Sequence, residues 1–370
     1  MQIQSTNYTF NYTPCDEDKK PAVLPYQDLG FGAARTSSMV MVEYDNGEWK
    51  TPSIVPYGPI SLDPCAKCLH YSQTIFEGAK AFNSQKGNGF RLFRLEENAK
   101  RFNQSATRMA MPEVPIDLFM ESAIELIKID KQYIPTGPET SLYIRPFMIG
   151  SSPALGVKPS DQYIFCIVLS PCGPYFKGGF TPVPITVATS QSRASPGGTG
   201  EAKTGGNYAA TLQRGLRAKN AGYSQVLWLD ALEHRYITEV GAMNIMFVEQ
   251  DGDRRILRTP KLDGTILHGI TRKSVLQIAR EIMHIEVVEE PLDIEEIVQK
   301  IRDEKIVEIF GTGTAAVISP VNKLEYKGEE FEVKYPVGET TQQIFSTLTG
   351  MQYGNEGVED IFGWVTEVEA

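Results

Sequence analysis

Histidine and tryptophan are scarce in this chain of 370 residues, at four and three, and the five cysteines are too few for a disulfide-built fold. An odd number of cysteines scattered over so long a chain reads as reduced thiols. Cys65 and Cys68 have CxxC spacing with His70 close by, but a zinc site needs two more ligands. Only His70, His234, His268 and His284 exist to supply them, so the expectation is no metal and two ordinary thiols. Positive charge is in deficit. Lys plus Arg number 36 against 46 Asp plus Glu, a net charge of -10, and such a field repels nucleic acid and anionic membranes. Apolar runs are short: the longest, residues 164–169, falls far below the roughly 20 residues of a membrane span. Residues 1–10 are polar, with neither a basic nor an apolar stretch, which predicts no secretory signal. Together these absences predict a cytoplasmic protein with no nucleic-acid or membrane partner, in which any bound anion is caught by a local site.

The remaining composition is globular, with 41% hydrophobic and 22% charged residues, and the length suits two domains. Ala99, Phe102, Ala106 and Met109 at helical spacing predict a helix over 96–109, and Leu118, Ala123, Ile124 and Ile127 predict a second over 117–131. Residues 39–44 and the Gly47 turn read as a hairpin, and 141–149 and 162–170 as strands, so the first domain mixes α and β. The Pro- and Gly-rich stretch around 171–184 reads as a linker. The expected domains are therefore 1–174 and 185–370, with 175–184 between them. In the second, strands are expected at 185–189, 225–229, 244–249, 305–310 and 315–319. Helices are expected at 208–220, 271–283, 294–302 and from 339, with a hairpin turn at Lys327-Gly328.

Residues 192–208 (SRASPGGTGEAKTGGNY) set one lysine, Lys203, among glycines on a loop between a strand and a helix. Glycine at this density lets backbone approach a ligand closely. The loop fails as a Walker A motif, because Ala202 precedes the lysine and Gly205-Gly206 interrupt the helix that should begin there. Gly311-Thr-Gly-Thr-Ala-Ala316 fails as a dinucleotide fingerprint, since a β-like stretch follows it. That turn still offers N–H groups and the Thr312 and Thr314 hydroxyls to one phosphate or carboxylate. At Gly269 a turn feeds a helix whose first N–H groups, Ile270 and Thr271, favour an anion. Taken singly, each of these features is more often structural. A loop lysine, several anion-binding turns and a carboxylate, Glu239, just before a strand are together the parts a pyridoxal phosphate enzyme needs.

Six segments in order carry a resemblance: LHYSQTIFEGAKAF at 69–82, RLFR at 91–94, LYIRP at 142–146, AKTGGNY at 202–208, TEVG at 238–241 with Met243-Asn244, and FGTGTA at 310–315. With the MQYG ending at 351–354, the chain resembles the branched-chain amino-acid aminotransferases, class IV and fold type IV pyridoxal phosphate enzymes. The resemblance implies a mixed α+β, α/β fold of two domains, a smaller N-terminal α/β domain and a larger C-terminal pseudo-barrel. It implies pyridoxal 5'-phosphate and transamination of leucine, isoleucine and valine with 2-oxoglutarate in a ping-pong cycle.

By the same resemblance, Lys203 would carry the cofactor and move the proton, Glu239 would pair with the pyridine nitrogen, and Tyr208 would donate to the ring oxygen. Arg101, Arg193, Ile270, Thr271 and Thr314 would hold the phosphate. Phe31, Tyr71, Phe76, Tyr143 and Tyr175 would form the aromatic substrate wall. Arg145, with the Tyr71 hydroxyl, would meet the second carboxylate of glutamate, and the α-carboxylate would sit at Thr314-Ala315. A loop carrying Leu155 and Val157 would complete the site across a homodimer interface. Two departures stand out: Ala242 occupies a position where relatives often carry threonine, and Ala316-Val-Ile-Ser319 lacks the CxxC of animal members. The competing readings are a D-amino-acid transaminase or aminodeoxychorismate lyase of the same fold, against which the Tyr143-Ile-Arg145 segment stands, and a non-catalytic phosphate-binding scaffold.

Overall fold

A computed structural model describes every residue except Lys86, Phe176, Lys177 and Ala370; two of these, Phe176 and Lys177, belong to the expected linker. The chain divides into two compact units, Met1–Lys177 with Ala202–Gly205 and Met351–Ala370, and Gly178–Glu201 with Gly206–Gly350.

The first unit is built on a long antiparallel pair. Tyr163–Cys172 runs against Ser141–Gly150 in unbroken register, from Tyr163 opposite Gly150 to Cys172 opposite Ser141. Ser38–Asp45 adds to one side, and Ala79–Asn83, Phe90–Phe93 and Val365–Val368 to the other. Two helices, Leu95–Arg108 and Ile116–Ile129, bury the apolar stripe that their spacing predicts. Phe102, Phe119 and Phe165 meet at their centre with ring centroids 5.5 to 5.7 Å apart. All three are fully buried, and such aromatic clusters supply much of a core's apolar burial. The final strand, Val365–Val368, returns to this sheet, where Arg91 binds the carbonyls of Met351 and Gln352 and the carboxylate of Glu367.

In the second unit the sheet closes on itself. Ile237–Val240 pairs with Gln225–Leu229 on one side and Met243–Asp251 on the other, and Val183–Ala188, Val317–Tyr326 and Ile306–Gly313 complete the ring. This is the pseudo-barrel of fold type IV. Helix Ile294–Arg302, capped by the Asp293 side chain, sends Ile294, Ile297, Val298 and Ile301 into the same core as Leu227, Ile245, Phe247 and Leu324.

Three local expectations need correction. The helix expected over 208–220 is broken into Gly205–Ala209 and Leu212–Asn220. Glu239, just before strand Met243–Asp251 as expected, itself lies in a short strand, Ile237–Val240, that was not expected. Thr312 is the penultimate residue of strand Ile306–Gly313, so only 314–316 form the turn.

Candidate active site

The excursion Ala202–Gly205 belongs by its contacts to the first unit, and it carries Lys203. The Lys203 peptide is pinned on both sides. Its N–H donates to the Ser105 hydroxyl at 2.9 Å, and its carbonyl accepts from the Phe76 N–H at 3.0 Å. Thr204 forms a bridge with Ile75 and donates its hydroxyl to the Thr74 carbonyl at 2.7 Å. A glycine-rich loop thus acquires a fixed point at its lysine, whose Nζ stands 4.9 Å from the centre of the Phe76 ring.

Around Phe76 the first unit assembles most of the expected substrate wall. The Arg145 guanidinium lies 4.9 Å from the Phe76 centroid and donates to the Tyr143 hydroxyl at 3.1 Å. Phe31 packs edge-on against Tyr143 and Tyr175, at 4.9 and 5.0 Å. Tyr143 and Arg145 share one face because alternate strand residues do. Gly78 is required beside them, since a Cβ there would overlap the Tyr143 hydroxyl. The Tyr71 hydroxyl donates to the Leu155 carbonyl.

Arg101 is buried on helix Leu95–Arg108 and grips Glu77 with two bonds, Nε to Oε1 at 2.7 Å and Nη2 to Oε2 at 2.8 Å. Asn98, three residues earlier on the same face, adds a third at 2.8 Å. Burial alone would raise the Glu77 carboxyl, but the charge and hydrogen bonds of Arg101, with Lys203 and Asn98 adding to them, hold it below its usual range. Glu77 and Ser105 were not foreseen. Their signal is available in the sequence: Asn98, Arg101 and Ser105 interrupt an otherwise apolar helix face at spacings of three and four.

In the second unit Glu239 sits where strands Ile237–Val240 and Met243–Asp251 close the ring, opposite Asn244. It is buried, and its Oε1 accepts from the Leu267 N–H at 2.7 Å and from Arg193 at 3.2 Å. Arg193 also donates to the carbonyls of Gly200 and Thr265, while its Nε finds no partner among the described residues. Asn244 donates to the Leu267 carbonyl at 3.0 Å. The helix Ile270–Glu281 starts three residues further on, behind Gly269, with no side chain capping its first turn. A Cβ on Gly269 would overlap the Asn244 amide oxygen, so glycine is what lets the strand and the helix start meet. The second unit therefore gathers Arg193, Glu239, Ile270 and Thr271 around Leu267. Beside Asn244, Thr312 keeps a buried hydroxyl with no partner among the described residues, and Thr314 and Ala315 follow in the turn. Tyr208 is half-buried on Gly205–Ala209.

Comparison with known proteins accords with this arrangement. The model for the class IV amino-transferases matches residues 74–324. The branched-chain-amino-acid aminotransferase of Mycobacterium tuberculosis is 44% identical over 358 residues, 96% of each chain. The crystal structure of the Escherichia coli branched-chain amino acid aminotransferase covers 89% of this chain and 99% of its own, at 29% identity and a TM-score of 0.72. That of the Thermoproteus uzoniensis branched-chain aminotransferase with norvaline covers 89% and 100%, at 25% identity and a TM-score of 0.71. With a motif-bearing lysine loop, a pseudo-barrel closed at Glu239 and relatives alike over nearly the whole length, the chain belongs to the branched-chain-amino-acid aminotransferases of the class IV, fold type IV family.

Proposed function

We propose that the enzyme catalyses the reversible transamination of L-leucine, L-isoleucine and L-valine with 2-oxoglutarate, giving branched-chain 2-oxo acids and L-glutamate, in ping-pong order with pyridoxal 5'-phosphate. The observation that carries the reading is Lys203, a lysine whose peptide is fixed on both sides and whose Nζ, like the Arg145 guanidinium, lies 4.9 Å from the Phe76 ring centre. The donor chemistry suits a phosphorylated pyridine. A buried carboxylate, an uncapped helix start, and the Thr312 hydroxyl and Arg193 Nε, which have no partner among the described residues, supply groups for a ring nitrogen and a phosphate. When bound, the cofactor supplies an electrophilic carbon and an electron-accepting ring.

In this reading the Lys203 amine would hold the cofactor and would serve as the acid and base that moves a proton at the substrate. Glu239 would pair with the ring nitrogen, and the Tyr208 hydroxyl would donate to the ring oxygen. Arg101, anchored by Glu77, holds the phosphate together with Arg193, the N–H groups of Ile270 and Thr271, and the Thr314 hydroxyl. Phe31, Tyr71, Phe76, Tyr143 and Tyr175 receive an aliphatic side chain. Arg145 meets the extra carboxylate of glutamate through charge-assisted hydrogen bonds. The substrate α-carboxylate lies at the Thr314-Ala315 turn. Leu155 and Val157 complete the site of a partner subunit in a homodimer that acts in the cytoplasm.

The first test is reduction with borohydride followed by peptide mapping. The expected result is a yellow protein whose reduced cofactor is fixed to the peptide carrying Lys203, with Lys203→Ala folded but without turnover. A colourless protein with nothing fixed to Lys203 would support a non-catalytic scaffold instead.

A further inference from the structure

Lys67 is wholly buried at 0% exposure, at the start of the short helix Lys67–Tyr71. An ammonium withdrawn from water needs other groups to replace its hydration, because an unpaired buried charge is costly. Lys67 finds a carbonyl and a ring: its Nζ donates to the Gly156 carbonyl and lies 5.7 Å from the Tyr71 ring centre. Tyr71, four residues on and on the same helix face, donates its hydroxyl to the neighbouring Leu155 carbonyl. One helical turn thus holds two consecutive carbonyls of a single loop.

The base of that loop is fixed separately. Ala66 bridges Pro153. The Ser152 hydroxyl accepts from the N–H groups of Asp161 and Gln162 at 2.8 and 2.9 Å, and from the Ser160 hydroxyl at 2.8 Å. What remains is the tip, where Leu155 and Val157 expose 56% and 85% of their surface. The tip's two carbonyl contacts come from Lys67 and Tyr71, so the direction of its apolar side chains depends on them. Lys67 acts on both contacts, directly at Gly156 and through the Tyr71 ring at Leu155.

We propose that Lys67 is a positioning residue for substrate selection: its buried ammonium fixes the 154–157 loop and the Tyr71 ring, and thereby sets how Leu155 and Val157 meet the aliphatic side chain of an amino acid. The proposal rests on the reading above, in which Tyr71 and this loop bind substrate. Its effect falls on side-chain recognition, since Lys203, Glu239 and Arg145 keep their own partners.

The test uses the holoenzyme with Lys67→Met, which keeps the stem's bulk but removes the charge and the donor, and Lys67→Arg, which keeps both. Hydrogen–deuterium exchange should speed up at the amides of residues 154–158 in Lys67→Met and return toward the wild-type rate in Lys67→Arg. In steady state, Lys67→Met should raise KM for L-leucine roughly tenfold, the cost of a slightly misplaced contact, with kcat and the KM for glutamate little changed. Lys67→Arg should recover most of that loss. Unchanged exchange at 154–158 overturns the proposal. So does an unchanged leucine KM, an equal loss for leucine and glutamate, or a folded Lys67→Arg as impaired as Lys67→Met. A wild-type enzyme inert toward leucine sinks the substrate reading itself, and the exchange data alone then decide whether Lys67 anchors the loop.

Discussion

At the residue scale, the site combines side chains that motifs identify with others that only the fold brings into contact. Lys203 and Glu239 stood out in the sequence as a lysine among glycines and a carboxylate just before a strand. The partners that fix them did not. Ser105 acts on a backbone N–H 98 residues away, and Leu267 reaches Glu239 from 28 residues away, pairings with no local pattern. Ser105→Ala would leave the Lys203 N–H without its acceptor. The expected outcome is a loss of about 1–3 kcal/mol in stability, read by denaturant unfolding, together with a fall in kcat at nearly unchanged KM. Arg145→Ala should impair the half-reaction with glutamate more than that with leucine, because only glutamate brings the extra carboxylate. Single-turnover rates for each half-reaction check this, and equal losses would remove the division of labour between Arg145 and the aromatic wall.

At the scale of elements, legibility followed periodicity. Helix Ile294–Arg302 and strand Gln225–Leu229 have the predicted bounds, and helices Leu95–Arg108 and Ile116–Ile129 lie within two residues of theirs. Each carries apolar residues at a regular spacing, even where Asn98, Arg101 and Ser105 interrupt the face of Leu95–Arg108. Strand Ile237–Val240 was missed because all four residues are buried, Thr238 and Glu239 included, so no alternation marks it. Strand Val365–Val368 is short, half-exposed and paired on one side only, and its glutamate reads as surface until Arg91 is seen beside it. The split of helix 208–220 follows Thr211, whose hydroxyl and N–H both turn back to the Tyr208 carbonyl. For the helices that were legible, the stabilising contact is equally specific. Phe102→Ala should cost about 3–5 kcal/mol by emptying the space between Phe119 and Phe165, measured as a shift in the unfolding midpoint at constant slope.

At the scale of the whole molecule, a net charge of -10 repels anions, yet the proposed cofactor and 2-oxoglutarate are anions and every proposed substrate carries a carboxylate. Local cations and oriented N–H groups resolve the conflict, and several are held by buried acids, as Arg101 is by Glu77 and Arg193 by Glu239. That design gives stability a pH dependence of known sign. Because the Glu77 carboxyl titrates lower in the folded protein than in the unfolded chain, its contribution is fully present above the ordinary glutamate pKa, near 4.3. It is lost as pH falls through the lower folded value. Glu77→Gln should therefore be less stable than the parent at neutral pH, with a gap that narrows on acidification below that range; denaturation curves across the acid range measure it.

The central claim is the activity. The most direct measurement is steady-state transamination by the purified enzyme with 2-oxoglutarate as acceptor, comparing L-leucine, L-isoleucine, L-valine and D-alanine. The three branched-chain L-amino acids should be consumed with stoichiometric formation of glutamate while D-alanine is left untouched; turnover of D-alanine with L-leucine inert would overturn the assignment.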